Sequence, residues 1–271
     1  MKGGVLVSGG TDGIGRAISL TLAERGWPVT AFGLEGRQPG SLAEGALASL
    51  REHAQTRGLD LTVVEADVAD EGQVNRLVAE AEERHGGLAG LVNNAAIGPL
   101  GSILDTAPET FERILAVNLR GPYLCARAVL PGMIAAGGGA IVNIGSGAGW
   151  GKPNMAAYAT SKGGLFAFSA ALALDHFHQH IRVNTVVPGG GGIVSGMSLG
   201  RVGGERSRLG TGAPGSVAGR PVEGEDVARA VAFLLSEEAE TISGTVIDVG
   251  CMDHQGAPIP PAPAGPREES R

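Results

Sequence analysis

The chain has 271 residues, of which 43% are hydrophobic and 18% charged, a composition typical of a globular protein with one sizeable core. Its formal charge of -7, without a cluster of Lys or Arg, argues against nucleic acid as a partner. Two cysteines, Cys125 and Cys251, make no disulfide framework, and the longest nearly apolar run is about half a membrane span, so we expect a cytoplasmic protein without membrane contact.

Short β-branched runs alternate along the chain with longer amphipathic segments. The predicted strands are residues 5–8, 29–32, 61–65, 90–93, 140–144, 182–187 and 245–249. The predicted helices are residues 13–25, 42–57, 71–84, 108–136, 156–178 and 224–236. Several strands are apolar at consecutive positions, which is typical of strands buried on both faces. The pattern therefore predicts an α/β fold, a doubly wound parallel sheet of about seven strands in a single domain.

No linker interrupts this alternation before residue 256, so residues 1–255 are predicted to form one domain. Residues 189–219 break the pattern because they are rich in Gly, Ser and Arg. An insertion of this length at the carboxyl end of a strand is expected to form a lid over the ligand crevice. Residues 256–271 carry several prolines and no apolar period, and they are predicted to be a disordered tail.

The first predicted strand runs directly into a glycine-rich turn, residues 8–15 (SGGTDGIG). Gly9 would permit the tight turn, Gly13 would let a diphosphate approach the backbone, and Gly15 would allow close packing of helix and strand. Free N–H groups and the dipole at the helix start favour phosphate charge. A plain glycine turn would give the same spacing, but the position between a strand and a helix favours a dinucleotide-binding turn.

Further landmarks follow this turn in a fixed order. They are Asp67-Val68, Asn93-Asn94-Ala95-Ala96, Asn118, Ser146, Tyr158-x-x-x-Lys162 and Pro188-Gly189. Taken alone, the Tyr-x-x-x-Lys spacing would also describe a surface pair one helical turn apart. Together with the turn, the set resembles the short-chain dehydrogenase/reductase family from residue 2 to about residue 250. The resemblance implies a Rossmann-like fold, a nicotinamide cofactor and a small-molecule alcohol or carbonyl substrate.

The resemblance implies four catalytic residues, with Tyr158 as the general acid/base. A free tyrosine titrates near ~10, and the Lys162 ammonium one turn away is expected to lower that pKa. Lys162 would also hold the nicotinamide ribose, Ser146 would orient the reacting oxygen, and Asn118 would anchor a water that leads to a proton relay. Without the Tyr/Lys pair, a turn hydroxyl and a satisfied helix amide would be the preferred interpretations of Ser146 and Asn118.

The resemblance also implies a set of cofactor contacts. The set is Gly9, Thr11, Asp12, Gly13, Ile14, Gly15, Glu35, Asp67, Val68, Asn94, Ala95, Tyr158, Lys162, Pro188, Gly189 and Ile193. Asp67 and Val68 match the adenine contact, and Asn94 matches the residue that braces the sheet. Ala96 departs from the pattern because glycine is usual there. The stretched run 188–195 (PGGGGIVS) leaves open whether Ile193 and Ser195 keep their contacts.

The choice between the two nicotinamide dinucleotides depends on a few charges. Gly33 stands where NAD-binding members of the family carry an acid. Asp12 and Glu35 would repel the 2′-phosphate of NADP, whereas Arg37 would attract it. The balance favours NAD(H) over NADP(H).

The helix predicted at residues 156–178 is apolar nearly all round, so one face can cover the sheet and another can bind a partner subunit. The resemblance implies a homodimer or homotetramer formed through this helix and the one that carries Asn118. His176, His178 and His180 lie near its end, where cationic side chains suit a helix C-terminus, so no metal site is predicted.

Three other points stay open at this stage. Trp150 would either line the substrate pocket or lie on the surface, and Arg201, Arg206 and Arg208 would either favour an anionic substrate or be solvated charges of the lid. A non-catalytic nicotinamide-sensing protein of the same fold is the alternative to an enzyme, and loss of the Tyr/Lys pair would be its signature. An epimerase or dehydratase of the family's extended branch would carry an added substrate domain.

Overall fold

The computed structural model describes residues 3–36, 44–189, 193–201, 203–208 and 216–250. The predicted tail at 256–271, Arg37 and Cys251 therefore lie outside the described residues. The strands are β1 (Gly4–Ser8), β2 (Val29–Gly33), β3 (Leu61–Glu65), β4 (Leu88–Asn93), β5 (Gly139–Ile144), β6 (Ile181–Pro188) and β7 (Val246–Val249). All seven agree with the predicted strands to within two residues at each end.

The strands form one parallel sheet of order β3-β2-β1-β4-β5-β6-β7. The predicted doubly wound α/β fold is thus confirmed. Every residue of β1, β4 and β5 is buried, as expected for strands covered on both faces. The chain runs outward in opposite directions from β1 and β4, which leaves a crevice at their carboxyl ends.

Helices cover both faces of the sheet. They are α1 (Gly13–Glu24), α2 (Ala46–Arg57), α3 (Glu71–His85), α4 (Pro108–Leu115), α5 (Gly121–Ala135), α6 (Ala156–Asp175), α7 (Gly196–Arg201) and α8 (Gly224–Leu235). Buried apolar side chains of α3, α5 and α6 pack on one face, and those of α1 and α8 pack on the other beside α2. No helix in the described part of the chain is both long enough and apolar enough to cross a membrane.

Two predicted helices differ from the structure. The single helix predicted at 108–136 is divided by a π-helical turn, Ala116–Arg120, between α4 and α5. The wider turn inserts an extra residue into the helix and so changes the direction of the side chains near it, and Asn118 lies there fully buried. The helix predicted at 156–178 ends at Asp175, because the chain then tightens into a 3₁₀ turn (Phe177–Gln179) and reverses at His180, whose φ is 57°.

The helix α3 begins with a side-chain cap. The Asp70 carboxylate accepts a hydrogen bond from the Gln73 backbone N–H at 2.9 Å. The Gln73 side chain departs from a capping box, because its oxygen accepts from the Asp67 N–H at 3.0 Å. The cap of α3 therefore also fixes the backbone at Asp67, one of the predicted cofactor contacts.

Candidate active site

A cavity of about 750 Å³ opens at the carboxyl ends of the strands, where the strand order reverses. Most of the predicted site residues line it together. They are Gly9, Thr11, Asp12, Ile14, Asp67, Val68, Asn94, Ala95, Ser146, Tyr158, Lys162, Pro188, Gly189 and Ile193. The remaining four, Gly13, Gly15, Glu35 and Asn118, are not among the lining residues.

The glycine turn after β1 has no room for side chains. A Cβ on Gly15 would lie 1.9 Å from the Gly9 carbonyl oxygen, and one on Gly9 would lie 2.8 Å from the Ala95 Cα. Gly13 has a φ of +52°, which L side chains rarely adopt. The turn thus brings bare backbone to the cavity wall at the start of α1, an arrangement that fits the diphosphate of a dinucleotide.

Asn94 holds this turn against the end of β4. Its side-chain amide donates to the carbonyl oxygens of Ser8 at 3.2 Å and Gly9 at 2.9 Å. In return, the Ser8 hydroxyl accepts from the backbone N–H groups of Asn94 and Ala95. These contacts are the ones expected of a residue that braces the sheet, which is the role that the resemblance implies for Asn94.

Asp67 lies on the opposite wall of the cavity. One of its carboxylate oxygens pairs with Arg113 at 3.0 Å, and the other accepts from the Ala69 N–H at 2.9 Å. Arg113, from α4, lines the same cavity and was not predicted from the sequence. Its contribution could not be read from the sequence, because it depends on the crossing of two segments 46 residues apart.

Two acidic residues were expected to bear on the cofactor choice, and they have different environments. The Asp12 carboxylate lines the cavity and accepts from the Gly196 N–H at 3.3 Å. Glu35 does not line the cavity, and its Oε1 is buried without a hydrogen-bond partner. At the end of β2 the lining residues are Gly33 and Leu34. The cofactor contact expected of Glu35 therefore has no direct counterpart in this geometry.

Tyr158 lies in the first turns of α6 and is only 6% exposed. Ser146, which follows β5, lines the same cavity and acts on the Tyr158 hydroxyl. Burial raises the pKa of Tyr158 above its ordinary value, and the Ser146 side chain and the Arg201 charge oppose that increase. The phenol is thus held protonated, next to a hydroxyl that can orient a shared ligand.

Lys162 follows one helical turn later and is buried. Its ammonium donates to the Ile144 carbonyl oxygen at 2.7 Å and lies 5.9 Å from the centre of the Tyr158 ring. Burial lowers the pKa of Lys162 to about 8. The expectation that Lys162 lowers the pKa of Tyr158 is therefore not met in this structure, because burial weakens both charged forms and the opposing charges come from Arg201 and Lys152.

Asn118 lies behind the catalytic pair rather than in the cavity. Its side chain exchanges two hydrogen bonds with the Ile97 backbone, both at 2.8 Å, and donates to the Ser161 hydroxyl at 3.0 Å. The Ser161 hydroxyl in turn donates to the Tyr158 carbonyl oxygen at 2.7 Å. The side-chain amide therefore ties the loop after β4 to the helix turn that carries Tyr158.

The described part of the segment after β6 contributes to the cavity wall. Within its described part, Ile193 and Ser195 both line the cavity despite the stretched glycine run. The short helix α7, which the sequence did not predict, adds further lining residues. They are Gly196, Met197, Ser198 and Arg201.

Trp150 and the histidines near the end of α6 lie apart from the cavity lining. Trp150 is 47% exposed, stacks on Phe166 with ring centres 4.5 Å apart, and is not among the lining residues. The His176 imidazole is hydrogen-bonded to the Gln179 side chain. In the described ranges no group of three His, Cys, Asp or Glu side chains is arranged to hold a metal ion.

Comparisons with known proteins agree with this geometry. Residues 9–251 match the family model described as enoyl-(acyl carrier protein) reductase. The chain is 36% identical to 2-(S)-hydroxypropyl-CoM dehydrogenase 3 of Xanthobacter autotrophicus over 90% of this chain and 94% of the relative. It is 31% identical to the 3-oxoacyl-(acyl-carrier-protein) reductase FabG of Staphylococcus aureus over 92% of this chain and 97% of the relative.

A solved structure is similar over nearly the same span. The crystal structure of levodione reductase superposes with a TM-score of 0.80 and 28% identity, covering 92% of this chain and 96% of the other. The family model and the full-length relatives agree with the sequence landmarks, and members of this family use a nicotinamide dinucleotide. The chain belongs to the short-chain dehydrogenase/reductase family and is an oxidoreductase.

Proposed function

We propose that the protein interconverts a secondary alcohol and a ketone by hydride transfer, with NAD(P)(H) as cofactor and Tyr158 as the general acid/base. The observation that carries the proposal is the position of Tyr158. Tyr158 and Ser146 line the same cavity as the bare glycine turn. The relatives named above are a dehydrogenase and reductases, which supports this reaction type.

The nicotinamide ring, when bound, supplies or accepts the hydride at the substrate carbon. In the reductive direction, the Tyr158 hydroxyl donates its proton to the carbonyl oxygen as that oxygen gains negative charge. The Ser146 hydroxyl hydrogen-bonds the same oxygen and fixes its position. The charges of Arg201 and Lys152, which oppose the increase in the pKa of Tyr158, stabilise the phenolate that remains. Lys162 is the next ionisable group along α6. Its low pKa leaves it able to take up and return a proton near neutral pH.

For the cofactor, the proposal is a preference for NAD(H) over NADP(H). The carboxylate of Asp12 lines the cavity beside the glycine turn, where it would repel a 2′-phosphate. Leu34 lines the same wall and offers no charge to a phosphate. Arg37, the residue expected to attract a phosphate, lies outside the described residues.

The proposed assembly is a homodimer or homotetramer. An apolar groove runs over the surface between the α4–α5 region and α6, and its apolar lining includes Leu115, Leu119, Tyr123 and Phe168. Burying such a groove against a second copy would remove apolar surface from water. The proposed location is the cytoplasm, which fits the free thiol of Cys125 in the core.

A substrate panel tests the proposed reaction. The purified protein is incubated with alcohols plus NAD or NADP, and with ketones plus the reduced cofactors, while the nicotinamide absorbance is followed. Turnover with at least one alcohol or ketone, and a higher kcat/KM with NAD(H), are the expected results. Cofactor binding without turnover of any compound would instead favour the non-catalytic sensing protein. A large preference for NADPH would overturn the proposed cofactor choice alone.

A further inference from the structure

Arg201, the last residue of α7, lies against the proposed catalytic tyrosine. Its guanidinium carbon is 5.0 Å from the centre of the Tyr158 ring, and its charge acts against the raised pKa of the phenol. Nε and Nη2 both donate to the Gly98 carbonyl oxygen, at 3.1 and 3.0 Å. The side chain is therefore anchored by the loop after β4, and its charge is held at the catalytic end of the cavity.

The charges that line the cavity are divided between its two ends. The carboxylates of Asp12 and Asp67 lie at the cofactor end, where they bind the Gly196 N–H and Arg113. The catalytic end carries cations. These are Lys152, Lys162 and Arg201.

Arg201 has no carboxylate partner among the residues that the structure describes. The Gly98 carbonyl oxygen accepts from the Nε–Nη2 edge of the guanidinium, and the Nη1 donors do not bind that oxygen. A planar fork with donors to spare is suited to bind a carboxylate or similar oxyanion through two parallel hydrogen bonds. A guanidinium in a half-buried cavity gains more from such a partner than one in water does.

We propose that the substrate carries an oxyanion group, such as a carboxylate, one or two carbons from the reacting carbon, and that Arg201 binds it. This rests on the proposed alcohol/ketone reaction and adds the substrate class. The guanidinium carbon lies 5.0 Å from the centre of the ring whose hydroxyl binds the reacting oxygen, so the guanidinium and that oxygen are only a few ångströms apart. A 2-oxo or 3-oxo acid spans such a separation. Lys152, which also lines the cavity, adds to the attraction.

The test compares acids with their uncharged esters. Pyruvate-type 2-oxo acids and acetoacetate-type 3-oxo acids of four to six carbons are assayed beside their methyl esters and the neutral ketones of the same length. We expect the wild-type protein to reduce an acid with a higher kcat/KM than its ester. Arg201→Gln should lower kcat/KM for the acid about 30-fold or more, chiefly through KM, and lower it for the ester clearly less, through the lost effect of the charge on Tyr158. Arg201→Lys should restore part of the loss.

Arg208→Gln is the matched control, because Arg208 belongs to the same lid segment but pairs with Glu205 at 2.7 Å outside the cavity lining. Arg208→Gln should leave kcat/KM unchanged for both the acid and the ester. Equal losses for acid and ester in Arg201→Gln would show that Arg201 acts on Tyr158 alone and would overturn the inference. Esters or neutral ketones reduced better than acids by the wild type would overturn it too, and would leave the proposed reaction standing. No turnover of any compound would overturn both.

Discussion

The carboxylate of Asp12 accepts a hydrogen bond from the backbone N–H of Gly196, 184 positions further along the chain, at 3.3 Å. The bond joins the glycine turn after β1 to the first residue of α7. Next to it the packing is close, because a Cβ on Gly13 would lie 2.8 Å from the Ser195 Cβ. The cofactor turn and the lid therefore form one continuous wall of the cavity.

Replacing Asp12 should loosen this wall. In Asp12→Ala the Gly196 N–H loses its acceptor, so we expect faster hydrogen exchange in peptides that cover residues 193–201. We also expect roughly 2- to 10-fold weaker NAD binding, the range that corresponds to one hydrogen bond. Asp12→Asn keeps an oxygen acceptor, so hydrogen exchange at residues 193–201 should be as slow as in the wild type. Both variants should bind NADP better, because the negative charge is gone. Unchanged exchange in Asp12→Ala would refute the proposed link.

Tyr158→Phe tests the acid/base role. Removing one hydroxyl from a buried ring preserves its shape, so the fold and cofactor binding should persist. We expect kcat to fall about 10²- to 10⁴-fold, with the Kd for NADH within about threefold by fluorescence titration. The second tyrosine of the chain, Tyr123, is 48% exposed, and Tyr123→Phe is the control with unchanged kcat. Turnover retained in Tyr158→Phe would rule out the mechanism.

The buried ammonium of Lys162 predicts a pH dependence of stability. Burial lowers its pKa from 10.5 to about 8 in the folded protein. Between these pH values the unfolded chain binds a proton that the folded protein has released, so stability rises with pH. We expect the wild type to gain roughly 1–3 kcal/mol in free energy of unfolding relative to Lys162→Met between pH 7 and pH 10.

Urea unfolding of both proteins at the two pH values measures this difference. Lys162→Met lacks the hydrogen bond to the Ile144 carbonyl at both pH values, so the effect of this loss cancels from the comparison. A constant difference between wild type and Lys162→Met would mean that the ammonium is not destabilised by burial.

Gly15 is predicted to tolerate no side chain. A Cβ there would lie 1.9 Å from the Gly9 carbonyl oxygen, so Gly15→Ala must move the start of α1 away from the turn. We expect a loss of about 1–3 kcal/mol in stability and no measurable NAD binding. Gly200→Ala is the control, because a Cβ at Gly200 meets nothing within 4 Å. Thermal unfolding and NADH titration of both variants check this, and wild-type NAD affinity in Gly15→Ala would contradict it.

Local patterns were sufficient to predict the sheet. Short runs of apolar and β-branched residues marked each strand, and the strand–turn–helix order at residues 8–15 located the glycine turn. The residues Ser146 and Tyr158 were assigned by resemblance, and both line the same cavity in the structure. Their meeting depends on the pairing of β5 with its neighbours, which a parallel sheet imposes on the chain.

Contacts between distant segments could not be predicted in the same way. Arg201 lies in a glycine-rich stretch without an apolar period, so nothing local showed that it reaches the Gly98 carbonyl 103 positions away. The π-helical turn at Asn118 was missed because one extra residue in a helix barely changes the apolar pattern. The pKa of Tyr158 depends on burial and on neighbours from other segments of the chain. The spacing of residues along the sequence shows neither the burial nor the neighbours.

The apolar groove beside α6 predicts the oligomeric state. Phe168 lies in the groove. Leu174 lies further along the same helix, outside the groove lining, with 77% of its surface exposed. A substitution at Leu174 therefore serves as the surface control for one at Phe168. If a second copy covers the groove, Phe168→Glu buries a charge at the interface and should convert the oligomer to a monomer, because an unpaired buried charge is costly. Leu174→Glu should leave the oligomer intact. Light scattering after size exclusion measures the masses, circular dichroism verifies the fold, and a monomeric wild type would contradict the proposed assembly.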